Sequence, residues 1–322
     1  MFKIISPLGG KYVNFSNPVR GRKWLLALKP HKQFGITFIP NLDLTADVLG
    51  FSLRTNRLGL RGSGRVNVPG VIAGTSFAMG LSVDEGHNWY DVILDRDKWF
   101  NSSMPVGISN NINVIEDLYE GEADTLIYLY HPNIWRISES YRSAFSSDNT
   151  IFESQGWKTD IFSMLVMYPR WIARECVKWS IGKSIYYDWN GSVYHLNPTY
   201  NIFDYTDLSR AKFVRSEMEL LNSLFKKFKK IIVIRTPIKE DSVPIDNKLK
   251  ALVPLRANYD EMWSLFKGLV DSKVKCISLN HEKFSSDHFH PYDTHWSKEG
   301  NKLFASCIKD VLVKSGVTGL ID

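Results

Sequence analysis

The sequence predicts an α/β fold, a three-layer α/β/α sandwich built around a mainly parallel sheet. Short apolar runs rich in β-branched residues alternate along the chain with segments whose apolar residues recur at helical spacing. The strand-like runs are continuously apolar, as strands are when helices cover both faces of a parallel sheet. In sheets of this kind the functional site lies at the carboxyl ends of the strands.

Five segments are predicted as strands. Val71-Ile72-Ala73 is a short apolar run that ends at Gly74, and a further short strand is expected just before Asn101. Thr125 to Tyr130 encloses the apolar run Leu-Ile-Tyr-Leu. Residues 231–234 are Ile-Ile-Val-Ile, all of them β-branched, which makes this the clearest strand. Val274 to Leu279 completes the set.

Three segments are predicted as helices. Asp84 to Leu94 places several apolar residues on one side at near-helical spacing, and Asn110 to Tyr119 has a similar pattern. Ser297 to Val313 is the last helix, and its apolar stripe consists of Leu303, Phe304, Ile308, Val311 and Leu312.

The pattern divides the chain into an extension and one main domain. Residues 1–68 are rich in Gly, Pro, Asn and Arg, which predicts an irregular N-terminal extension with short strands, packed on the main domain. Residues 69–322 carry the alternating pattern. It is interrupted at about 135–225, where a mostly helical, aromatic-rich insertion that could cap the site is expected; its tryptophans are Trp135, Trp157, Trp171, Trp179 and Trp189.

Composition narrows the classes of partner. The chain has 322 residues and a formal net charge of +6, which favours acidic partners without selecting one. It contains neither zinc-finger spacing nor a glycine-rich phosphate loop, so nucleic acid is not expected. Aromatic residues make up 13%, which suits carbohydrate recognition and equally suits a core. The sequence has no run of about 18 apolar residues, so no transmembrane segment is expected, although peripheral membrane contact stays open.

The cysteines and the N-terminus indicate the compartment. The three cysteines are odd in number and far apart in sequence, which predicts neither a disulfide framework nor a metal knuckle. A reducing compartment fits this usage. The first residues lack the basic start, apolar stretch and small-residue cleavage site of a signal peptide, so a cytoplasmic location is expected.

The first segment with chemical potential is Gly74-Thr75-Ser76-Phe77, directly after the first predicted strand. A serine on a turn at the carboxyl end of a strand exposes its hydroxyl, and nearby backbone N–H groups point at whatever it attacks. Ser76 is therefore a candidate nucleophile. The alternative is that Thr75 or Ser76 merely caps the helix that follows.

The second segment is Asp293-Thr294-His295-Trp296-Ser297, just before the last predicted helix. Serine is a poor nucleophile unless a base takes its proton, and a histidine held by a carboxylate is the usual solution. Asp293 and His295 are two apart and lie on the same side of an extended segment, so both can face a site. The alternative is a helix capped by Ser297 beside a surface histidine.

The same region raises a third possibility, a metal site. Five residues of metal-ligating type occur close together: Asp287, His288, His290, Asp293 and His295. No helical His-x-x-x-His pair or cysteine accompanies them. The interpretation that we favour therefore has no metal and no required cofactor.

Three further features have both a functional and a structural interpretation. The basic run at 226–230 could bind an anionic ligand, but such runs are more often the solvated end of a helix. Arg61 and Arg65 could hold a substrate carboxylate or be tied to local carbonyls. Cys176 has no histidine beside it in sequence, which argues against a thiol nucleophile.

Together these motifs resemble those of the SGNH hydrolases, the GDSL-like esterases and acyltransferases, whose sandwich is flavodoxin-like. Four blocks in the family's order can be placed: Gly74 to Phe77, Gly107, Asn133 and Asp293-x-His295. The upstream phrase Asn56-Arg-Leu-Gly-Leu-Arg61 is also similar to a lead-in seen in many members. The resemblance covers about residues 50–135 and 230–315.

The resemblance implies a role for each residue. Ser76 attacks an acyl carbonyl, His295 accepts its proton, and Asp293 orients the imidazole. The backbone N–H groups of Ser76 and Gly107 and the side-chain amide of Asn133 form the oxyanion hole. The chain departs from the family where Thr75 replaces the usual aspartate and where residues 131–134 are His-Pro-Asn-Ile in place of Gly-x-Asn-Asp.

The wording of the two main motifs is similar to the alginate-type polysaccharide O-acetyltransferases, although there the Asp-x-His block precedes the serine. The expected function is O-acetyl transfer to a carbohydrate, as in a bacterial polysaccharide O-acetyltransferase, with acetyl-CoA as a plausible donor. A carbohydrate acetylesterase with the same residues and a non-catalytic glycan-binding protein are the alternatives. The sequence indicates no oligomeric state.

Overall fold

The structure is a computed structural model. The residues that it describes are 4–5, 11–13, 28–31, 35–46, 51–104, 107–122, 124–131, 134, 185–189, 192–196, 208–239, 255–290 and 295–321. Two of the predicted site residues, Asn133 and Asp293, lie outside these ranges.

The described residues form strands and helices that alternate over much of the chain. In chain order, the strands are β1 (Ile4–Ile5), β2 (Lys11–Val13), β3 (Leu28–His31), β4 (Gly35–Phe38), β5 (Asp43–Ala46), β6 (Phe51–Arg54), β7 (Gly70–Gly74), β8 (Trp99–Asn101), β9 (Thr125–Tyr130), β10 (Ile185–Trp189), β11 (Ser192–Leu196), β12 (Lys230–Arg235) and β13 (Lys275–Ser278). The helices are α1 (Ser76–Met79), α2 (Trp89–Ile93), α3 (Ile108–Leu118), α4 (Leu208–Phe225), α5 (Leu255–Leu269) and α6 (Lys298–Lys314).

A five-stranded parallel sheet forms the centre of the molecule, in the order β13-β12-β9-β7-β8. Chain order reverses between β7 and β9, because β8 returns to the outer side of β7 while the later strands of this sheet, β12 and β13, are added beyond β9. Gly74 lies opposite Leu129, and Arg235 lies opposite Tyr130, so the carboxyl ends of the three central strands are level. A ligand site in such a sheet lies where the order reverses.

Helices cover both faces of this sheet, which confirms the predicted α/β sandwich. Strand residues alternate between the faces: Tyr128 and Val233 lie in one core, and Ile127 and Ile232 lie in the other. The first core also contains buried residues of α3, α4 and α5, namely Ile108, Ile112, Ile115, Leu221, Leu224, Tyr259 and Phe266. The second contains residues of α2 and α6, namely Trp89, Ile93, Phe304, Ile308 and Leu312.

The predicted strands agree closely with the observed ones, above all in the centre of the sheet, where β7 and β9 are apolar runs that helices bury on both sides. The edge strand β13 is only partly buried. β9 spans the predicted residues, and every residue of β7 and β9 is buried. The helix predicted from Asp84 to Leu94 is wrong in its first half, since α2 begins only at Trp89. The side chain of Asp91 accepts hydrogen bonds from the backbone of Gly86 and from the Asn88 amide, and these bonds hold the preceding residues in turns.

The described strands outside the main sheet pair in antiparallel fashion. β1, β2, β10 and β11 form a four-stranded sheet, and β3 pairs with β4 and β5 with β6. Within the interval 135–225, the described residues form the antiparallel pair β10–β11 and the whole of α4. Trp189 ends β10, whereas Trp135, Trp157, Trp171 and Trp179 lie outside the described residues. The domain boundaries and the helical insertion stay predictions.

No helix in the described ranges combines the length and the apolar character needed to cross a membrane.

Gly74 makes the sharp transition from β7 to α1 possible. Its φ of +142° lies in a region that residues other than glycine rarely adopt. A Cβ added there would lie 2.7 Å from the Leu129 carbonyl oxygen and 2.8 Å from the Ala78 Cβ. The glycine thus lets the chain turn against β9 and start a helix two residues later.

We expect Gly74→Ala to lower the free energy of unfolding by about 1–3 kcal/mol, measured by urea denaturation, because the backbone strain and the clash occur together. Gly268→Ala is the matched control: an added Cβ meets no atom within 4 Å on the exposed side of α5. There alanine should raise stability by about 0.5–1 kcal/mol. Equal effects of the two substitutions would contradict the role of Gly74.

Candidate functional site: a serine and a histidine at the sheet's carboxyl edge

Ser76 is the first residue of α1, two residues beyond the end of β7. It lies at the carboxyl edge of the sheet, beside the point where the strand order reverses. The residue is half-buried. Thr75 occupies the N-cap position but makes no side-chain capping hydrogen bond. The local turn therefore presents Ser76 at the edge.

The Ser76 hydroxyl contacts a histidine from the far end of the chain. Its Oγ lies 2.7 Å from Nε2 of His295, and the two residues are 219 positions apart. When the hydroxyl donates this bond, Nε2 carries no proton, so a neutral His295 is protonated on Nδ1. This arrangement allows the histidine to take the serine proton. Asp293, the predicted partner of Nδ1, lies outside the described residues.

The segment that carries His295 is held by main-chain bonds on both sides. Phe289 and Trp296 form an antiparallel bridge, and the His290 N–H donates to the His295 carbonyl over 2.9 Å. The Trp296 indole N–H donates to the Pro237 carbonyl, just beyond β12, over 3.0 Å. The base is thus fixed to the edge of the sheet by its immediate neighbours.

Helix α6 fixes the same segment from its other side. Ser297 is the N-cap of α6 and accepts from the Gly300 N–H over 3.2 Å, as predicted for a capped helix. A Cβ on Gly300 would lie 1.9 Å from the His288 carbonyl oxygen, so only glycine lets the helix approach this loop. The Trp296 ring stacks on Phe304 of α6 with centroids 4.3 Å apart.

Phe77 separates two histidines. Its ring stacks on His295 at 4.8 Å between centroids and on His131 at 4.6 Å, and Trp296 meets its edge at 5.0 Å. His131 directly follows β9 and is buried. The ring next to the nucleophile therefore sets the plane of the base. The sequence reasoning missed this stack, although both residues follow predicted strands at the expected edge.

The predicted oxyanion-hole residues are placed only in part. Gly107 is buried at the N-cap of α3, in the connection that follows β8. Its carbonyl accepts from the backbone N–H of Asn111 over 3.1 Å and from the Asn111 side chain over 3.0 Å. Asn133 lies outside the described residues. The oxyanion hole thus stays a prediction.

The histidines of the alternative metal cluster have separate partners. His288 accepts at Nδ1 from the Ser285 N–H over 2.9 Å, and His290 Nε2 donates to the Ser82 carbonyl over 2.9 Å. His295 faces Ser76. Among the described residues, no three His, Cys, Asp or Glu side chains converge in a way that could hold a metal ion.

The basic run lies at the opposite edge of the sheet from Ser76, because Lys230 begins β12. Lys227 pairs with Glu116 at 2.5 Å, and Lys229 pairs with Asp124 at 2.7 Å. These pairs are exposed, so each contributes little to stability. Lys227 and Lys229 thus agree with the structural interpretation of this run, that of a solvated surface, and not with an anion-binding site.

Arg61 binds loop carbonyls, one of the two possibilities left open by the sequence. The residue is 1% exposed, and its guanidinium donates to the carbonyls of Gly80 and Val83. Arg65 instead forms an exposed ion pair of 3.1 Å with Asp97. Arg61 thus fixes the chain just beyond α1.

Lys239 is a buried residue of the site region that the sequence reasoning did not select. It is fully buried, and its ammonium donates to the His290 carbonyl over 2.9 Å. It lies four residues beyond β12 and so supports the histidine segment from the carboxyl edge. No local pattern distinguishes such a lysine from a surface one.

The two described cysteines are partly buried. Cys276 and Cys307 are free thiols that lie against different cores, and burial raises the pKa of both. A raised pKa keeps the thiol protonated and weakens it as a nucleophile. Cys176 lies outside the described residues.

No protein-family model matches this chain, and no curated protein matches its sequence.

We expect Phe77→Leu to move the imidazole proton signals of both His131 and His295 downfield in the NMR spectrum, because the shielding face of the ring is lost. Each lost stack should also cost about 0.5–1.5 kcal/mol of unfolding free energy. Phe100→Leu is the control: Phe100 stacks on Tyr119 at 5.9 Å, in the other core. If the two substitutions moved the histidine signals alike, the stack would be refuted.

Proposed function

We propose that this chain is an SGNH-type serine enzyme that transfers O-acyl groups, above all acetyl, to a carbohydrate through an acyl-enzyme on Ser76. The observation that carries the proposal is the 2.7 Å contact between Ser76 Oγ and His295 Nε2. A nucleophile and a base within hydrogen-bond reach are the core of this chemistry. Their position beside the reversal of strand order is where ligands bind in such sheets.

The first half-reaction forms the acyl-enzyme. Ser76 Oγ attacks the acyl carbonyl of the donor while His295 Nε2 takes the hydroxyl proton. The resulting tetrahedral oxyanion is the charge that the Ser76 and Gly107 N–H groups and the Asn133 amide would stabilise, each donor being worth about 3–4 kcal/mol. Collapse breaks the bond to the leaving group, which receives the proton from His295.

The second half-reaction transfers the acyl group. An acceptor hydroxyl attacks the acyl carbonyl, and its proton passes to His295. Collapse then breaks the bond to Ser76, whose oxygen recovers that proton from His295. Asp293 would hold the imidazole in the Nδ1–H form throughout. Over the cycle the protons balance, and the acyl donor is converted to its free leaving group while the acceptor hydroxyl becomes the ester.

Two features of the sequence support carbohydrate acetyl transfer within this reaction class. The Gly-Thr-Ser and Asp-Thr-His-Trp-Ser wordings are similar to alginate-type O-acetyltransferases. The aromatic content, with 10 tryptophans, suits a glycan acceptor. Acetyl-CoA is the donor that we propose. Water in place of the sugar hydroxyl would make the same residues an esterase, and a binding protein would have no use for the serine–histidine contact.

We expect Ser76→Ala to lower turnover of p-nitrophenyl acetate by roughly 10³-fold or more, because the attacking atom is lost. Mass spectrometry of the wild type should show an acetyl adduct on the Ser76 peptide. Ser63→Ala is the matched control, since Ser63 is exposed and its hydroxyl donates to the Arg96 carbonyl. Equal turnover by wild type and Ser76→Ala, without an adduct, would rule out the serine mechanism.

The acceptor is tested by product partition. With acetyl-CoA as donor and polysaccharide fragments as acceptors, we expect O-acetylated sugar to exceed free acetate, as mass spectrometry and acetate assay would show. Formation of the Ser76 adduct with free acetate as the sole product would indicate the carbohydrate acetylesterase instead. Fragment binding that Ser76→Ala leaves unchanged, with no turnover in either protein, would indicate glycan binding.

A further inference from the structure

Ser82 has a backbone conformation that serine rarely adopts. Its φ is +92°, and its side chain is buried. A residue with a Cβ at positive φ persists only where the surrounding contacts hold it there, and such residues concentrate at functional sites. Ser82 lies six residues beyond Ser76, in the connection between α1 and α2.

The contacts that hold Ser82 come from both sides of His295. Its Oγ donates to the Trp296 carbonyl over 2.9 Å, and its own carbonyl accepts from His290 Nε2 over 2.9 Å. Trp296 is the residue after His295, and the His290 N–H binds the His295 carbonyl. A single residue thus binds the histidine segment at two points that flank the base.

The connection that carries Ser82 is fixed to the nucleophile. The Leu81 N–H donates to the Ser76 carbonyl over 2.9 Å, and the Gly80 N–H donates to the Phe77 carbonyl over 3.1 Å. The position of Ser82 is therefore coupled to that of the turn that presents the Ser76 hydroxyl.

Buried donors hold the same connection from the core side. Arg61 donates to the carbonyls of Gly80 and Val83, and the Tyr90 hydroxyl donates to the Met79 carbonyl over 3.3 Å. Burial raises the pKa of Tyr90 well above its usual range, so the phenol keeps its proton and stays a donor. The carbonyls of residues 79, 80, 82 and 83 are all bound, which leaves this connection little freedom.

We propose that Ser82 is a positioning residue that fixes the distance and angle between His295 and Ser76. This inference rests on the proposed function, because only a proton-accepting His295 needs such alignment. The hydroxyl of Ser82 joins the base to a connection already bound to the nucleophile, so the two groups form one rigid unit. The strained φ is what aims the hydroxyl and the carbonyl of one residue at two points of the histidine segment.

The test compares Ser82→Gly with Ser63→Gly. Glycine adopts positive φ without strain, so Ser82→Gly removes the hydroxyl and leaves the backbone path available. Ser63 Oγ also donates to a carbonyl, that of Arg96, over 3.0 Å, but on the exposed surface. We expect Ser82→Gly to lower the rate of Ser76 labelling by a fluorophosphonate, and kcat for p-nitrophenyl acetate, by roughly 10- to 100-fold. KM should not change, and Ser63→Gly should behave as wild type.

Two further variants separate positioning from a general structural effect. Ser82→Ala lacks the hydroxyl but keeps the Cβ, and the same kinetic loss there would exclude added backbone flexibility as the cause. In a His295→Gln background, Ser82→Gly should cause no further loss, because the base that it aligns is already gone. A merely structural role would add an equal loss in both backgrounds.

The outcomes are distinct. Labelling of Ser82→Gly at the wild-type rate, or equal losses with and without His295, overturns the inference while the proposed function stands. A wild-type protein that the fluorophosphonate does not label at Ser76 overturns the proposed function, and the inference falls with it.

Discussion

The parallel pairing of β7 with β9 is the constraint on which the rest of the site depends. Its register sets Gly74 against Leu129, so the two strands end at the same level. Because β8 returns to the outer side of β7 and β12 is added beyond β9, the chain leaves these two ends in opposite directions. Ser76 and His131 lie at the resulting opening, two residues and one residue beyond their strands, with the Phe77 ring against the His131 ring.

His295 arrives at this opening from the other end of the chain, and its place is set by polar contacts as much as by packing. Buried polar groups must be hydrogen-bonded, because an unpaired one costs free energy on leaving water. The Trp296 indole, the Lys239 ammonium and the Ser82 hydroxyl each bind a carbonyl in this region. These bonds are directional, so they fix the histidine segment more narrowly than apolar contacts would.

The sequence alone predicted the helices and strands most accurately where burial is two-sided. β9 and the apolar core of β12 are buried between neighbouring strands and helices, so tertiary packing and local preference agree. The start of α2 was missed because the Asp91 side chain competes for backbone donors, which periodicity does not register. The stack of His131 on Phe77 was also missed, since it depends on strand order and not on spacing.

The sequence by itself determined the fold class and selected Ser76 and His295 as candidate site residues, one just after a predicted strand and the other just before a predicted helix. Those follow from local patterns: apolar runs, glycine at a turn, and a serine cap before the last helix. Only the tertiary structure decided that Ser76 and His295, 219 residues apart, meet at 2.7 Å, and that Arg61 binds loop carbonyls. Distant segments meet because of the order of the strands in the sheet. Many strand orders are compatible with one succession of helices and strands along the chain, so local sequence patterns do not predict which segments meet.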